Sequence, residues 1–261
     1  MLRAFSTAAT GMAAQQTMVD MIANNLANIN TNGFKRSQID FQDLLYEKVR
    51  QSGAEVAAGI KSPGGIEVGS GVRVASTVKV YTPGELENTG RNLDIAVMGE
   101  GFLQVTLPNG QIRYTRDGML QTNADGQLVT TSGYMIEPSI TIPIDALSVD
   151  IGKDGTVNIT DSSGNASVVG TLQLARFANP SGLTNEGDNL LSQTEASGTA
   201  TLGTPGENGF GTIMPGFLEK SNVQMVNELV NLITAQRAYE INSRAIRAGD
   251  EMLSTTNGLI R

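Results

Sequence analysis

Two amphipathic stripes, one at each end of the chain, constrain the fold more than any other feature of this sequence. At the start, apolar residues recur at alternating spacings of three and four, with one polar member, Gln16. The apolar members are Leu2, Phe5, Ala9, Met12, Val19, Ala23 and Leu26. This is the heptad spacing of a helix that packs against other helices. Because the Asn- and Gly-rich run 28–33 can take the left-handed conformation that ends a helix, we expect a helix from about residue 3 to residue 29.

A second stripe runs along the C-terminal end and mirrors the first. Ser221 followed by Gln224 is a capping-box pattern, in which each side chain satisfies a free amide at the start of a helix. The stripe itself consists of Met225, Leu229, Leu232, Gln236, Tyr239, Ser243, Ile246, Asp250 and Leu253, and is widened at its start by Val226, Val230 and Ile233. The pattern predicts a helix from about residue 222 to residue 255.

Between the stripes, the period of the pattern changes to that of short strands. Leu103, Val105 and Leu107 alternate with polar residues, and Asp-Gly, Asn-Gly and Ser-Gly turns follow at short intervals. The longest strand candidate is 168–177, and we expect the Ser-, Thr- and Gly-rich stretch 192–211 to be an exposed loop or an irregular edge. The predicted fold class is therefore α+β: N- and C-terminal helices form a coiled-coil layer, and a central all-β domain consists of short strands.

We predict three parts in this chain. They are a terminal-helix coiled-coil domain formed by 1–33 and 218–261, a linker at 34–71, and a central β domain at 72–217. A lone terminal helix is marginally stable in water, so each helix needs partners. The pattern leaves two arrangements open, an intramolecular hairpin packed on the β domain and a bundle formed between molecules. Alanines on the other faces of both helices allow further helices to approach closely, which favours the bundle.

The composition disfavours catalysis. The chain has no Cys, His or Trp, and 18 basic residues stand against 26 acidic ones, a net charge of −8. It therefore lacks a thiolate nucleophile and the commonest general base and metal ligand, and its acidic balance disfavours duplex nucleic acid and anionic membranes. Most acidic residues that could form a sugar-hydrolysing pair lie beside Gly in turns. We predict no enzyme, no catalytic residue, no metal and no cofactor; a carboxylate hydrolase and a monomeric binding module are the rival classes.

Three separate motifs resemble those of the bacterial flagellar rod and hook proteins. The first is ANNLANINTNGFK at 23–35. The second is NLDIAVMGEGF at 92–102, followed by YTRDG at 114–118. The third lies at 221–230 and continues as AQRAYEIN at 235–242. Because the motifs occur in the order typical of that family and reach both ends and the centre, the resemblance covers nearly the whole chain.

Within this family, the length and the single modest β domain are similar to those of the distal-rod class; a proximal-rod or hook-class subunit is the alternative. The resemblance implies a structural subunit that polymerises into a rigid hollow drive shaft, transmits torque to the hook and serves as an export channel. Its implied partners are further copies of this chain, proximal rod proteins, the hook protein and the surrounding peptidoglycan and outer-membrane rings, without nucleic acid or membrane insertion. The implied location is the basal body, where the rod crosses the periplasm and outer membrane, after type III export without a cleaved signal peptide.

The predicted assembly surface consists of apolar residues on the two stripes. They are Leu2, Phe5, Met12, Val19 and Leu26 on the first stripe with Ile22 beside it, and Met225, Leu229, Leu232, Ile233, Tyr239 and Ile246 on the second. The positions that carry the family motifs are Asn24, Asn25, Leu26, Asn28, Thr31, Gly33, Phe34, Gln236, Arg237, Tyr239 and Asn242. The resemblance also implies that the segment 46–71 bridges subunits and stiffens the polymer, whereas the role of 192–211 stays open.

Overall fold

The chain forms two compact units, each discontinuous in sequence. The computed structural model describes residues 2–51, 55–57, 60–61, 64–162 and 164–259. Unit 1 consists of Met1–Leu26, Ser37–Val78 and Gln224–Arg261. Unit 2 consists of Ala27–Arg36 and Lys79–Val223. The α+β class predicted from the sequence is confirmed, since both terminal segments are helical and the region between them is rich in strands.

Unit 1 contains both long helices, α1 at Leu2–Ala27 and α2 at Met225–Leu259. The helices lie side by side and run antiparallel. A Cβ built on Gly249 would lie 2.8 Å from the ring of Phe5, and one built on Gly11 would lie 3.0 Å from the amide nitrogen of Asn242. Glycine at these two points therefore permits the close approach. No helix in the described part of the chain is long and apolar enough to cross a membrane. The coiled-coil layer stays a prediction.

The capping-box prediction at the start of α2 is wrong. The helix begins at Met225, so Ser221 lies outside its first turn. The hydroxyl of Ser221 accepts a hydrogen bond of 3.3 Å from the backbone N–H of Val223 instead. Ser221 is also buried, because the segment that leads into α2 still belongs to unit 2. A local pattern of hydrogen-bonding residues could not reveal this tertiary anchoring.

Among the described residues between α1 and unit 2, six strands form nested two-stranded pairs. They are β1 (Ser37–Asp43), β2 (Tyr46–Arg50), β3 (Glu55–Ala57), β4 (Ile60–Lys61), β5 (Ile66–Gly69) and β6 (Val72–Lys79). β1 pairs with β6, β2 with β5, and β3 with β4. We call residues 37–78 the ribbon. The ribbon is joined to α1 where Asn25 exchanges two hydrogen bonds of 2.9 Å with the backbone of Ser37, and where the N–H of Val72 donates to the hydroxyl of Thr10 at 3.4 Å.

Unit 2 is built from short strands and one short 3-10 helix, Pro180–Gly182, in its described residues. Its strands are β7 (Leu86–Asn88), β8 (Ile95–Met98), β9 (Phe102–Thr106), β10 (Ile112–Thr115), β11 (Leu120–Thr122), β12 (Leu128–Thr130), β13 (Met135–Glu137), β14 (Ala146–Ile151), β15 (Thr156–Asp161), β16 (Ala166–Thr171), β17 (Leu174–Arg176), β18 (Thr184–Gly187), β19 (Leu190–Ser192), β20 (Thr201–Gly203), β21 (Thr212–Pro215) and β22 (Phe217–Glu219). These short strands with glycine turns agree with the predicted pattern of the central region.

The centre of unit 2 is a nine-stranded sheet whose main path runs β11-β12-β13-β9-β10-β19-β18. β17 also pairs with β9, and β20 pairs with β17. A three-stranded antiparallel sheet, β14-β15-β16, and the pairs β21-β8 and β22-β7 complete the unit. The core is formed by fully buried aliphatic side chains, which include Ile95, Leu103, Val105, Leu120, Leu128, Ile136, Val157, Leu172, Leu174 and Ile213.

Two expectations for unit 2 need correction. The candidate strand at 168–177 is two strands in different sheets, β16 and β17, separated by Leu172 and Gln173. Leu172 is fully buried, so the apolar run continues while the backbone crosses from one sheet to the other. The stretch 192–211 includes the edge strand β20, which fits the predicted irregular edge, but Ser197 and Phe210 within it are buried. Its polar composition concealed these anchoring points.

Candidate assembly face and root clasp

The first turns of α2 carry an exposed apolar face. At 100° per residue, Met225, Val226, Leu229, Val230 and Ile233 fall within an arc of about 140°. Their exposed fractions range from 41% at Leu229 to 72% at Val226. Single exposed apolar residues are ordinary on a protein surface, but a contiguous face of this kind is typical of a protein–protein contact. We call these five residues the assembly face.

The same side of α2 becomes charged beyond the assembly face. The residues that continue the arc are Arg237, Glu240, Arg244, Arg247 and Glu251, and all of them are exposed. Glu240 and Arg244 form an exposed ion pair at 3.5 Å, one turn apart. Such pairs contribute little to stability, so this part of the helix is compatible with water as well as with a partner. The contiguous apolar face therefore ends near Ile233, and the exposed apolar residues further along α2, Tyr239, Ile241 and Met252, lie outside its arc.

The residues of α1 that we predicted to be in the assembly surface lie nearer the interior of unit 1. Ile22 is buried, with 1% of its surface exposed. The half-buried members are Phe5, Met12, Val19 and Leu26. The side chain of Leu2 lies outside the described residues. Most of the apolar stripe of α1 is thus partly covered within one chain, whereas the start of the α2 stripe is not.

The remaining residues of α2 that we predicted to be in the assembly surface are partly half-buried and partly exposed. Leu232 and Ile246 are half-buried, and Tyr239 is 43% exposed. Tyr239 and Val19 line one open cavity of about 400 Å³ between α1 and α2, together with Gln16, Gln236 and Glu240. The polar member of the first stripe, Gln16, therefore lies at the same level as Gln236, a polar member of the second.

A buried cluster of charges lies in unit 2 where the chain leaves α1 and where it enters α2. The ammonium group of Lys35 lies 2.5 Å from Oε1 of Glu219, and the Nε atom of Arg116 lies 2.8 Å from Oε2 of the same carboxylate. All three side chains are at least nine-tenths buried. Lys35 follows α1, Glu219 ends β22 shortly before α2, and Arg116 follows β10. We call these three residues the root clasp.

Every charged atom group of the root clasp has further backbone partners. Lys35 donates to the carbonyl oxygen of Thr82 at 2.8 Å, and Oε1 of Glu219 also accepts the N–H of Gly84 at 3.0 Å. Arg116 donates to the carbonyl oxygens of Val97 at 2.8 Å, Gly99 at 2.7 Å and Gly101. A buried charge is tolerated only with such a complete set of partners.

The root clasp changes the pKa values of its own members. Burial lowers the pKa of Lys35, and the negative charge of Glu219 only partly opposes this effect. Burial alone would raise the pKa of Glu219, but the charges and hydrogen bonds of Arg116 and Lys35 outweigh it and lower that pKa below its ordinary value. Glu219 is therefore ionised at neutral pH, and its carboxylate forms ion pairs with both cations.

The backbone beside the root clasp is held by two further motif residues. Gly33 has a φ of +68°, and its N–H donates to the carbonyl oxygen of Glu219 at 2.7 Å. A Cβ at Gly33 would lie 2.7 Å from the carbonyl carbon of Arg116, so only glycine fits there. The Oδ1 atom of Asn222 accepts the N–H of Arg36 at 2.7 Å, and its amide donates to the carbonyl oxygen of Val80 at 2.8 Å.

The other motif residues have local roles or lie on the surface. The hydroxyl of Thr31 donates to Oδ1 of Asn28 at 3.1 Å, and Phe34 lies beneath the ammonium group of Lys79, 4.8 Å from ring centroid to Nζ. Asn24, Gln236 and Arg237 are exposed, Leu26 is half-buried, and Asn242 contacts α1 at Gly11. The N-terminal motif thus serves mainly to anchor the chain rather than to provide exposed contact surface.

The root clasp and Asn222 were not predicted as a set. Lys35 and Arg116 belong to the family motifs, but no pattern in the sequence links them to Glu219 across the length of the chain. One feature of the sequence indicated a buried ion pair: Glu219 directly follows the apolar pair Phe217–Leu218. A glutamate that is buried with such apolar neighbours needs a partner of opposite charge.

The described residues contain no group of three or more His, Cys, Asp or Glu side chains that could hold a metal ion. The absence of a cofactor and of catalysis stays a prediction.

Three family models of flagellar proteins match separate ranges of the chain. Residues 5–35 match the family model "Flagella basal body rod protein", residues 96–159 match "Flagellar hook protein FlgE/F/G D1 domain", and residues 214–259 match "Flagellar basal body rod FlgEFG protein C-terminal". These ranges include the first and third sequence motifs and all of the second except residues 92–95.

Whole-length relatives lead to the same family. The flagellar basal-body rod protein FlgG of Caulobacter vibrioides is 46% identical over 260 residues, which cover 99% of each chain. The protein of the same name from Borreliella burgdorferi is 41% identical over the full length of both chains, and that from Bacillus subtilis is 36% identical over the full length of both. The predicted family and the predicted role as a rod subunit are thereby confirmed. This chain belongs to the flagellar basal-body rod proteins.

Proposed function

We propose that this chain is the structural subunit of the distal rod and that its copies polymerise into a rigid, hollow shaft. Similarity along the whole length to basal-body rod proteins from several bacteria supports the proposal. The observation that carries it is the assembly face, because one chain leaves these five apolar side chains of α2 in water. Burial of apolar surface is favourable by about 25 cal/mol for each Å², so a partner helix stabilises this face.

In this proposal, helices of neighbouring copies cover the assembly face and build a coiled-coil layer around a central channel. Leu229 and Ile233 are one helical turn apart, which is the spacing of knobs that enter the holes of a facing helix. The half-buried stripe of α1 supplies the remaining apolar contacts. The shaft transmits torque to the hook, and the channel exports later subunits.

The proposed partners are further copies of this chain, proximal rod proteins, the hook protein and the surrounding peptidoglycan and outer-membrane rings. The proposed location is the rod where it crosses the periplasm and the outer membrane, reached by type III export without a cleaved signal peptide. A shaft of this kind needs no chemistry, so we propose a purely structural, non-enzymatic role.

The ribbon is the proposed stiffening element. Its segment 46–71 was predicted to bridge subunits, and the described residues at its base include exposed apolar side chains. They are Leu45 at 89%, Tyr46 at 52% and Val49 at 61% exposure. Covering them with a neighbouring copy would resist bending of the shaft. A chain without residues 46–71 should still assemble but give filaments with a shorter persistence length in electron micrographs; an unchanged persistence length contradicts this role.

Assembly of the purified full chain tests the main proposal. The parent chain is concentrated stepwise, and polymer is measured by sedimentation and electron microscopy. We expect tubular filaments from the parent and none from a variant with Val226→Ser and Val230→Ser. Val168→Ser is the matched control, because Val168 is 65% exposed in unit 2 and outside both helices. A parent chain that stays monomeric, or a double variant that assembles as well as the parent, contradicts the proposal.

A further inference from the structure

A small cavity beside the root clasp is lined by positive charge. Its walls include Lys35, Lys79 and Arg116, together with the amide side chains of Asn185 and Asn189, and no acidic residue lines it. Glu219 pairs with two of the three cations, and the carboxylate of Asp117 accepts a hydrogen bond of 3.3 Å from Asn189, so one positive charge in excess remains around the cavity. This excess is unusual in a chain whose net charge is −8.

Lys79 is the cation in this cavity that lacks a counter-charge. Its ammonium group lies over the ring of Phe34, and it forms no ion pair with any residue in the described ranges. Burial alone lowers its pKa, with no neighbouring charge opposing the change. A half-buried lysine without a carboxylate partner is costly in an isolated chain, because part of its hydration is lost and the ring of Phe34 replaces it only in part.

Tyr81 lines the same cavity and also lacks a partner. Its hydroxyl is buried and makes no hydrogen bond. Burial raises the pKa of Tyr81 to about 12, so the hydroxyl keeps its proton and remains a donor at neutral pH. The hydroxyl is therefore a hydrogen-bond donor without an acceptor among the described residues.

The size of the cavity restricts what it can receive. The volume of the cavity is about 40 Å³. One water molecule occupies roughly 10–15 Å³ on this measure, so the cavity holds about three small atoms. A carboxylate group, with three heavy atoms, is of this size.

We propose that this cavity, the carboxylate socket, receives the side chain of an aspartate or glutamate from a neighbouring copy of this chain in the polymer. The inference rests on the proposed function, because polymerisation places further copies at high local concentration against every subunit. Each such copy carries an excess of carboxylates, 26 acidic against 18 basic residues, and is therefore complementary in charge to the socket. The carboxylate would pair with Lys79 and accept hydrogen bonds from nearby donors, which replaces the water that Lys79 has lost.

A zero-length crosslink tests the carboxylate socket directly. Unlabelled and ¹⁵N-labelled copies are mixed, assembled and treated with a carbodiimide, which joins an amine to a carboxylate only where the two are in contact. Mass spectrometry then shows which residue is joined to Lys79. Crosslinks between one labelled and one unlabelled peptide come from different copies. We expect such mixed crosslinks at Lys79 in the polymer and none in the dilute monomer.

Three variants of the full chain complete the test. Lys79→Arg keeps the charge but cannot form the amide, so the crosslink should vanish while assembly stays within about twofold of the parent. Lys79→Met should raise the concentration needed for assembly by about fivefold or more, without changing the circular dichroism of the monomer. Lys153→Met, at an exposed lysine elsewhere in unit 2, is the control and should leave assembly unchanged.

The outcomes separate the socket from the proposed function. Filaments without a mixed crosslink at Lys79, or with crosslinks only within one copy, overturn the socket and leave the rod function standing. Millimolar acetate is added to the monomer as a competing small anion. If acetate protects the amine of Lys79 from chemical modification as fully as assembly does, the cavity is a site for small anions, and the socket proposal is overturned. A parent chain that never polymerises overturns both.

Discussion

The root clasp and the assembly face differ in whether their side chains find partners within one chain. In the root clasp, three buried charges and the backbone around them satisfy one another within a single chain. In the assembly face, five apolar side chains remain in water. The first region is satisfied within one chain, whereas the second exposes apolar surface to water. The comparison teaches that the family motifs around 23–35 and 114–118 supply residues that pair within one chain, whereas the start of α2 keeps exposed apolar side chains, which in our proposal other copies cover.

Removing the carboxylate of the root clasp should produce the largest effect. Glu219→Gln leaves Lys35 and Arg116 buried without a counter-charge, so we expect the free energy of unfolding of unit 2 to fall by about 3–5 kcal/mol. Urea denaturation followed by tyrosine fluorescence measures it. Glu87→Gln is the control, because Glu87 forms an exposed pair with Lys220, which directly follows the adjoining strand β22, and should cost less than about 1 kcal/mol. Equal losses in the two variants would show that the clasp is not the stabilising feature.

Two glycines with the same φ angle test how tightly the backbone is packed beside the root clasp. Gly33 and Gly90 both have φ of +68°, but a Cβ meets the backbone of Arg116 only at Gly33. Alanine at either position costs about 1–2 kcal/mol for the left-handed conformation. Gly33→Ala should cost about 1–2 kcal/mol more, since backbone atoms must move. If the unfolding midpoints of both variants are the same, packing at Gly33 is looser than the structure indicates.

The unfolding free energy should depend on pH in the acid range because of Glu219. Its pKa is lowered in the folded chain, so its stabilising effect is complete above its ordinary pKa of 4.5 and is lost as the pH falls through the lowered value. The difference in unfolding free energy between the parent and Glu219→Gln should therefore be constant near neutral pH and shrink below about pH 4.5. A difference that persists unchanged at the lowest pH at which the chain folds would contradict this assignment.

Substitution in the assembly face should have the smallest effect on the isolated chain. Val230→Ala removes apolar atoms that are already in water, so we expect the monomer's unfolding free energy to change by less than about 0.5 kcal/mol. Ile22→Ala, at a buried position of α1, is the contrast and should cost about 2–4 kcal/mol. A Val230→Ala monomer destabilised as strongly as Ile22→Ala would show that α2 buries this face within one chain.

Local patterns predicted both helices, because apolar periodicity over many turns outweighs local disturbances. α1 and α2 end within a few residues of the expected positions. The same reasoning failed at Ser221, where a capping pattern lies in a segment held by unit 2, and at Leu172, where an apolar run crosses between sheets. In both cases a tertiary contact decided the outcome.

The root clasp could not be predicted for a related reason. Lys35, Arg116 and Glu219 are separated by most of the chain, and nothing in their neighbours' spacing encodes the pairing. The assembly face was predictable in part, because Met225, Leu229 and Ile233 belong to the stripe. Which members of a stripe are covered within one chain depends on the helix opposite, as the buried Ile22 and the half-buried Leu232 show.

The most direct test of the account is hydroxyl-radical footprinting of the same protein as monomer and as filament. Met225 belongs to the assembly face and is 51% exposed, so it should oxidise readily in the monomer. If neighbouring copies cover this face, its oxidation rate should fall several-fold in the filament. An oxidation rate for Met225 that is equal in monomer and filament would contradict the claim that the exposed start of α2 is what holds the copies together.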